Sequence, residues 1–517
     1  MPTPAGLRPA TSTGSSLAAL AVVARGVVED AHLIPATRGG QLVTGVTLDS
    51  RAVVPGDLYA ALPGATAHGA DFTEQAAAAG AVAVLTDEQG HRLGLATGLP
   101  TVLCSAPRLV LGAVSAQVYG HPADALQVLG VTGTNGKTTT TFLLDAALRA
   151  LGRVTGMIGT VETRVADRAV ASVRTTPEAP DLHRLLATMR EQHVQVCSME
   201  VSSQALAQHR VDGVVVDVAG FTSFSQDHLE LHGDMATYLA AKALLFTPAH
   251  SRRGVVVVDD EGGRAVAEGS GVPVTTVSGR LDSGADWTVT DRVPDGATTA
   301  FGLQHADGQR LSLRCPMPGD FNVMNTALAA VMLLVAGVEA HDVVVGLAQA
   351  GGVPGRMEQV SVGPGPLALV DYAHTPDAVS VALQALRPAV AAGGRLVVVL
   401  GAGGDRDPGK RPGMGAAAAA GADAVVVTDD NPRSEDPAVI RAAVLAGARG
   451  GARDTGTEVV EVADRAAAIR YAAGMVRPGD VLLVAGKGHE QGQDVGGVVH
   501  PFDDRTELAA ALAGGLP

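Results

Sequence analysis

The sequence predicts an α/β protein of three domains built on mostly parallel sheets, and three observations carry that reading. The chain has 517 residues, which at about 150 residues per domain amounts to roughly three. Short apolar, β-branched runs alternate with helical patterns along most of it, the order that strand–helix–strand units impose. One of those runs opens into a glycine-rich loop and then a Thr-rich helix, an arrangement that suits a phosphate at a helix N-terminus.

Taken in order, residues 1–12 are rich in Pro, Thr and Ala and are expected to be mobile. Leu17–Ala24 is apolar but short, and Arg8 is the one basic residue before it. It therefore reads as a surface helix of a cytoplasmic protein, not as a secretion signal. Strand-like pieces at Gln41–Leu48, Leu58–Leu62, Val82–Thr86 and Pro100–Cys104 alternate with Ala-rich helices and define a small N-terminal α/β domain, residues 1–125. A central domain, residues 126–352, opens with the strand Gln127–Val131. Buried strands follow at Gln195–Met199, Val214–Phe221 and Gly254–Asp259, with helices at Pro180–Arg190, Met235–Phe246, Asn322–Val335 and His341–Ala350. Between Trp287 and Cys315 the pattern changes to strict alternation, which predicts an antiparallel β insert. Gly351–Gly355 reads as a linker into the C-terminal domain, residues 353–517. Its strands, Leu367–Asp371, Arg395–Leu400, Ala424–Thr428, Glu458–Val462 and Val481–Ala485, alternate with helices and predict a doubly wound sheet.

Composition narrows the function. Lys and Arg number 38 against 53 Asp and Glu, a net charge of −15. A nucleic acid or an anionic membrane finds little attraction in such a surface. With 1 Trp, 5 Tyr and 8 Phe, stacking platforms for single strands are also scarce. Cys104, Cys197 and Cys315 form no C-x-x-C pair, so a disulfide framework is not expected and a reducing compartment fits. No run approaches the about 18 apolar residues of a membrane span.

The strongest local signal is Leu129-Gly130-Val131-Thr132-Gly133-Thr134-Asn135-Gly136-Lys137-Thr138-Thr139. Glycines let backbone N–H groups turn inward around phosphate oxygens, and the helix end adds partial positive charge. Lys137 would reach the outer phosphates and Thr138 would hold Mg²⁺. The motif is shorter than the usual form, whose first glycine would fall on Val131. A second cluster, Gly401-Ala402-Gly403-Gly404, does not read as a dinucleotide site, because Arg406 stands where a third glycine belongs and no helix follows.

Several side chains keep two readings. Glu200 ends an apolar strand and could bind Mg²⁺ near the phosphates, or could serve as an N-cap or loop acid beside Ser202 and Ser203. His228 and His232 have helical spacing for zinc, but no third ligand is marked. Lys242 lies on an apolar helix, either as a lysine reaching for solvent or as a buried amine whose lowered pKa lets it react with CO₂.

These residues together resemble the Mur ligases of peptidoglycan precursor synthesis, and among them the branch that adds the third amino acid. The resemblance rests on Asp49-Ser50-Arg51, Gly133–Thr139, Thr175-Thr176-Pro177, Met199–Ser203, Asp227-His228, Ala241-Lys242, Asn322 with Asn325, Gly355–Glu358, Asp371–Pro376, Asp430–Arg433 and Gly486–Glu490, in the expected order. It implies a UDP-binding domain, a central P-loop-type ATPase and a C-terminal Rossmann-like domain, acting as a cytoplasmic monomer without nucleic acid or membrane. Ser50, Arg51, Thr175, Thr176, Ser202, Gln208 and Arg210 would hold a UDP-N-acetylmuramoyl dipeptide. Gly133, Thr134, Asn135, Gly136, Lys137, Thr138, Thr139, Asn322, Asn325, Arg356, Asp371 and His374 would contact ATP. Thr138, Glu200 and His228 would bind Mg²⁺, two ions being expected, with Lys242 carrying a CO₂-derived carbamate as a further anionic arm. Lys137, Glu200, His228 and Lys242 would be the catalytic set.

Arg406, Asp430, Asn431, Pro432, Arg433, Gly486 and Glu490 would bind the incoming amino acid. Arg433 offers a planar fork to a carboxylate, which suits the distal carboxylate of meso-diaminopimelate and has no counterpart in lysine. Without the resemblance, Asp430–Arg433 would read as an ordinary strand-end turn. Ser223, Gln226, Glu230 and Gln204 depart from the usual family residues but leave the metal positions in place. Other functions stand beside this one. The same ligase could take L-Lys or another diamino acid, a folylpolyglutamate synthetase shares the glycine loop, a nucleotide switch would hydrolyse without ligating, and a zinc hydrolase would use the histidine pair.

Overall fold

The computed structural model describes residues 7–35, 42–170, 172–227, 229–360 and 365–514, apart from the side chains of residues 229, 230 and 454. Among them are three α/β sheets, of five, eleven and six strands, and one two-stranded hairpin. The chain divides into two compact units. One comprises Met1–Thr290, Leu303–Leu311 and Met324–Gln349, and the other Asp291–Gly302, Ser312–Val323 and Ala350–Pro517.

The first unit holds the N-terminal sheet and most of the central one. In the N-terminal sheet Gly45–Thr47, Asp57–Ala60, Ala83–Thr86 and Thr101–Leu103 run parallel, and His32–Ile34 closes one edge antiparallel. Residues 7–12, expected to be mobile, are held in their described part. Leu7 is buried, Arg8 makes two hydrogen bonds to Asp57 at 2.7 and 2.8 Å, and Ala10 and Thr11 donate to Glu191. Two features explain why this sheet shares a unit with the central one. Arg190 donates to the carbonyls of Tyr119 and Gly120, and Gly112 lies so close to Asp212 that an added Cβ would meet its carbonyl oxygen at 2.3 Å.

The central sheet is parallel across Thr155–Ile158, Val196–Glu200, Gln127–Thr132, Val218–Phe221, Gly254–Val257 and Val274–Ser278. The strand that feeds the glycine loop is thus flanked on both sides, and its residues Val128–Thr132 are all buried. A fully buried parallel strand needs apolar side chains on both faces, which is why Val128-Leu129-Gly130-Val131 reads as a continuous run. The register places Glu200 opposite Val131, level with the start of the loop. Val214–Val216, expected within a strand, lie before it, with one isolated bridge from Val216 to Ser251. In the insert, Arg310–Cys315 alternates between exposed and buried residues as the sequence pattern requires.

In the second unit Leu367–Asp371, Val481–Ala485, Leu396–Leu400, Ala424–Val427 and Glu458–Glu461 are neighbours in that order and all parallel. Helices Pro376–Leu386 and Lys410–Gly421 pack their Val379, Leu383, Met414 and Ala418 into one face. Arg465–Met475 and Asp504–Ala513 cover the other with Ile469, Ala472 and Leu508. Gly351 and Gly352 have open space around them, as a linker would, but Gly355 does not. It has φ +66°, and an added Cβ would stand 2.1 Å from the His489 nitrogen. The end of the expected linker is therefore a packed turn against Gly488-His489.

Candidate active site

The glycine loop is shaped by two residues that only glycine can fill. Gly133 has φ +139°, and a Cβ there would lie 1.9 Å from Thr222 Oγ1. Gly136 has φ +89° at the start of helix Lys137–Ala150, and a Cβ there would lie 2.3 Å from Asn325 Oδ1. The residues that follow the neighbouring strand Val218–Phe221 brace the loop. Thr134 N donates to Ser223 O at 2.8 Å, and Thr222 Oγ1 donates to Asn135 O. Ser223, a departure from the usual family residue, contacts the loop through both its backbone and its hydroxyl.

Two lysines converge on this loop. Lys137 Nζ donates to Gly133 O and Thr134 O at 3.0 and 2.9 Å. Lys242 Nζ donates to the same Gly133 oxygen at 2.7 Å. Lys242 is 1 % exposed, so it is not a lysine reaching for solvent. Burial first, and the charge of Lys137 second, push its pKa down to about 6, against a smaller upward pull from Asp227. Tyr238 lies beneath the amine, 4.3 Å from ring centre to Nζ, and its hydroxyl reaches Thr134 Oγ1 at 3.3 Å.

Glu200 is 0 % exposed and faces the first turn of the loop helix. Its Oε2 accepts from Thr138 Oγ1 at 3.0 Å and Thr160 Oγ1 at 3.1 Å, and its Oε1 accepts from Thr160 N at 2.7 Å. Glu200 is not an N-cap, because it is Ser202 that caps helix Ser203–Ala207. A buried carboxylate beside a threonine hydroxyl is a hard-oxygen donor set that suits Mg²⁺. Among the described residues no group of three His, Cys, Asp or Glu is placed to hold a metal ion. His228 lies outside the described residues.

Thr175 Oγ1 touches Thr160 Oγ1 at 3.0 Å, and Thr176 Oγ1 donates to Glu200 O at 2.9 Å and accepts from Ser202 N at 3.1 Å. These threonines therefore border Glu200 and its partner Thr160. Arg210 is buried and pairs with Glu178 at 2.9 Å, with Gln208 Oε1 on its other edge and Arg108 on the same Glu178 carboxylate at 3.0 Å. Ser50 donates to Gln75 Oε1, whereas Arg51 is exposed and held by Asp49. Asn325 stands over Gly136 and Thr139 follows in the buried first turn.

Asn322, Arg356, Asp371, His374 and the expected amino-acid residues belong to the second unit. Asn322 donates to Pro318 O at 2.8 Å. Asp371 accepts from Met357 N and Ala373 N at 2.7 and 2.8 Å, and burial pushes its carboxyl up. Arg356 stacks on Tyr372, and His374 Nδ1 lies 2.8 Å from the Tyr372 carbonyl. Asp430 and Asn431 are buried at the end of strand Ala424–Val427, beside Gly486, whose φ of +116° leaves room for Asp430 Oδ2. Asn431 Nδ2 donates to Glu490 Oε2 at 2.8 Å. Pro432 O packs against Gly404, Arg433 has φ +52° and donates to Gly404 O at 2.6 Å, and Arg406 lies on the exposed loop that follows. The structure thus gathers Asp430, Asn431, Arg433, Gly486 and Glu490, and leaves Arg406 at the rim.

Sequence reasoning missed Thr160, Tyr238, Thr222, Glu178 and Lys487. None sits in a glycine-rich or charged motif that would have marked it, except Lys487 within Gly486-Lys487-Gly488-His489-Glu490.

Comparison with known proteins identifies the family. Residues 42–119 match the catalytic-domain model of the Mur ligase family, residues 131–333 the Mur ligase middle domain, and residues 355–488 the Mur ligase glutamate ligase domain. A UDP-N-acetylmuramoyl-L-alanyl-D-glutamate–2,6-diaminopimelate ligase of Streptomyces avermitilis is 52 % identical over 470 residues, covering 91 % of this chain and 92 % of the relative. A UDP-N-acetylmuramyl-tripeptide synthetase of Leifsonia xyli is 48 % identical over 477 residues, 92 % of each. A solved structure of a UDP-N-acetylmuramoyl-L-alanyl-D-glutamate–2,6-diaminopimelate ligase superimposes with a TM-score of 0.66 at 33 % identity, over 92 % of this chain and 95 % of that one. With a phosphate loop, a buried lysine and a strand-end glutamate in one unit and all three domain models in order, the chain belongs to the Mur ligase family.

Proposed function

We propose that the chain joins meso-diaminopimelate to the γ-carboxylate of D-Glu in UDP-N-acetylmuramoyl-L-Ala-D-Glu, consuming ATP, in the cytoplasm and as a monomer. The observation that carries the reading is the assembly of the buried Asp430 and Asn431 with the half-buried Arg433 and Glu490, in a chain half identical to a relative bearing that activity's name. The same reading gives UDP binding to residues 1–125, ATP to 126–352 and the amino acid to 353–517.

A carboxylate does not yield to an amine while its leaving group is an oxide. Transfer of the γ-phosphoryl to the D-Glu γ-carboxylate breaks the terminal P–O bond of ATP and forms an acyl phosphate. The diaminopimelate amine then attacks its carbonyl carbon and phosphate leaves with the bonding pair. Backbone N–H groups of Gly133–Thr139 and the end of helix Lys137–Ala150 would cradle the phosphates. Lys137 would exchange its two carbonyl contacts for phosphate oxygens. Thr138 and Glu200, with His228, would hold Mg²⁺, which when bound offsets the charge of phosphoryl transfer. Lys242 would add its unprotonated amine to CO₂ and lose a proton, becoming a carbamate. Its burial and lowered pKa support this. Thr175, Thr176, Ser202, Gln208 and Arg210 would orient the muramoyl peptide, with Ser50 and Arg51 at its UDP end.

The deciding experiment is an ATP-dependent ligation assay with the UDP-muramoyl dipeptide and meso-diaminopimelate, lysine or ornithine in turn. Product with meso-diaminopimelate alone is expected. Phosphate release that needs no amino acid would instead indicate a nucleotide switch, and ligation of folate a folylpolyglutamate synthetase.

A further inference from the structure

We infer that Lys487 is a positioning residue of the amino-acid pocket, which fixes the Asn431 amide and the hairpin after it in place and offsets one of the pocket's two carboxylate charges. The inference rests on the ligase reading above and deepens it.

Lys487 is 0 % exposed. Its Nζ donates to Asn431 Oδ1 at 2.7 Å and to Gly492 O at 2.8 Å, with Asp430 Oδ1 at 3.5 Å and Glu490 Oε2 at 3.6 Å. Such a buried cation is tolerated because all its directions end on oxygen. The amide it holds is thereby fixed in orientation: Asn431 Oδ1 faces the lysine and Asp494 N, so Nδ2 must face Glu490. The same ammonium pins the hairpin Gly492–Pro501, whose Gln493 donates to Asp430 O at 2.7 Å and whose Asp494 O accepts from Arg433 N at 3.0 Å. One side chain thus ties the Asp430–Arg433 turn, the Gly486–Glu490 loop and the hairpin together.

Charge follows from the same contacts. Asp430 and Glu490 bring two negative charges and Lys487 one positive. Arg465, the next buried cation, is matched by Asp504 in a two-bond pair at 2.7 Å, so that pair adds no net charge. One net negative charge remains, beside the Arg433 guanidinium on the same turn. That is the complement of an amino-carboxylate end. Diaminopimelate has such an end distal to its reacting amine. Lysine offers an ammonium without the carboxylate, and 2-aminopimelate a carboxylate without the ammonium. Each would leave one pocket charge unpaired, and sites built on polar pairing reject ligands that lack a partner.

The test uses the full-length enzyme. With wild type, KM for meso-diaminopimelate is expected at least tenfold below KM for lysine, and 2-aminopimelate is expected to inhibit at least tenfold more weakly than meso-diaminopimelate binds. Lys487→Met keeps the chain length and removes the charge. It should raise KM for meso-diaminopimelate at least tenfold, narrow the preference over lysine, and leave kcat and the KM values for ATP and the muramoyl substrate within about twofold. Unchanged KM and preference would overturn the inference, as would loss of kcat and ATP affinity together, which marks a merely structural lysine. If Lys487→Met does not fold, the wild-type comparison decides: 2-aminopimelate binding as well as meso-diaminopimelate overturns the charge argument. A wild-type enzyme that ligates no diamino acid would instead remove the ligase reading itself.

Discussion

Lys137 and Lys242 donate to one carbonyl oxygen, that of Gly133, at 3.0 and 2.7 Å. Two ammonium groups sharing one neutral acceptor in a buried place is costly, and the more buried of them gives way: Lys242, 1 % exposed, is pushed down to about 6. The phosphate loop therefore holds one lysine ready for an anion and keeps the other as a free amine at neutral pH.

The first prediction concerns that amine. Lys242→Ala should lower the ligation rate at least about a hundredfold, because a carbamate at the metal would be lost. A small added carboxylate, such as formate or acetate, should restore part of it by entering the vacated space. Full activity of the variant, or no response to the added acid, would sink the carbamate reading. Thermal unfolding of the variant should stay close to wild type, since removing an ill-solvated amine relieves a cost.

The loop glycines give a second prediction. Gly136→Ala forces a Cβ to 2.3 Å from Asn325 Oδ1 at φ +89°, and Gly133→Ala forces one to 1.9 Å from Thr222 Oγ1 at φ +139°. Both conformations are strained for an L side chain, by about 1–3 kcal/mol each before the clash is counted. The Gly133 clash is the closer of the two, and Thr222 cannot yield without leaving Thr132 O and Asn135 O. Nucleotide affinity, measured by titration with ADP, should fall about tenfold in Gly136→Ala and more in Gly133→Ala. The reverse order would mean that Thr222 yields more readily than Asn325, against the two hydrogen bonds that hold it.

The phosphate loop was legible from sequence because every part of it is local: a buried strand, glycines and a helix start within a dozen residues. Glu200 was half legible. Its place at a strand end was visible, but its choice between metal and cap depended on Thr138 and Thr160, which only the parallel register brings near. Lys242 shows the limit most clearly. Periodicity marks its helix as apolar, yet whether a lysine there points to solvent or to Gly133 is decided by a residue more than a hundred positions earlier in the chain. Thr160 carries no motif of its own, so nothing local separates it from a surface threonine, and Lys487 lies in the Gly486–Glu490 motif without any local sign that its amine turns inward.

Thr160→Val tests the support of Glu200. It removes the hydroxyl at 3.1 Å and keeps the backbone donor at 2.7 Å, so the carboxylate loses one of three donors. Groups that orient a metal ligand typically matter about tenfold or more to metal affinity. The Mg²⁺ concentration for half-maximal ligation should rise about tenfold, with the rate at saturating Mg²⁺ nearly kept. An unchanged Mg²⁺ requirement would mean that Glu200 is not a metal ligand or that Thr160 does not orient it.

Arg433→Ala should act on the amino acid alone. Its guanidinium already spends one N–H on Gly404 O at 2.6 Å, which aims the remaining fork. KM for meso-diaminopimelate should rise at least tenfold, with KM for ATP unchanged, and the preference over lysine should fall. A preference that stays the same would exclude Arg433 as the selector.

His183 supplies a prediction about stability. It is 0 % exposed on helix Ala179–Glu191, with Nε2 3.0 Å from the Asp212 carbonyl, and burial pushes its pKa down to about 4. In the unfolded chain the same group titrates near 6.5. Between these values the unfolded state binds a proton that the folded state refuses. Stability must therefore fall as pH drops through that window, by up to about 3 kcal/mol from this one residue. Above pH 6.5 neither state is protonated there and the contribution is flat. His183→Gln keeps a donor for Asp212 O and cannot titrate. The variant should be less stable than wild type at pH 7.5 through imperfect packing, and the gap should close or invert by pH 4.5. Acid unfolding of His489, also lowered to about 4, is common to both proteins and cancels in the comparison. Urea unfolding of the pair at pH 7.5, 6.0 and 4.5 measures the difference directly, and a gap that does not change with pH would show that His183 is protonated as readily when folded as when unfolded.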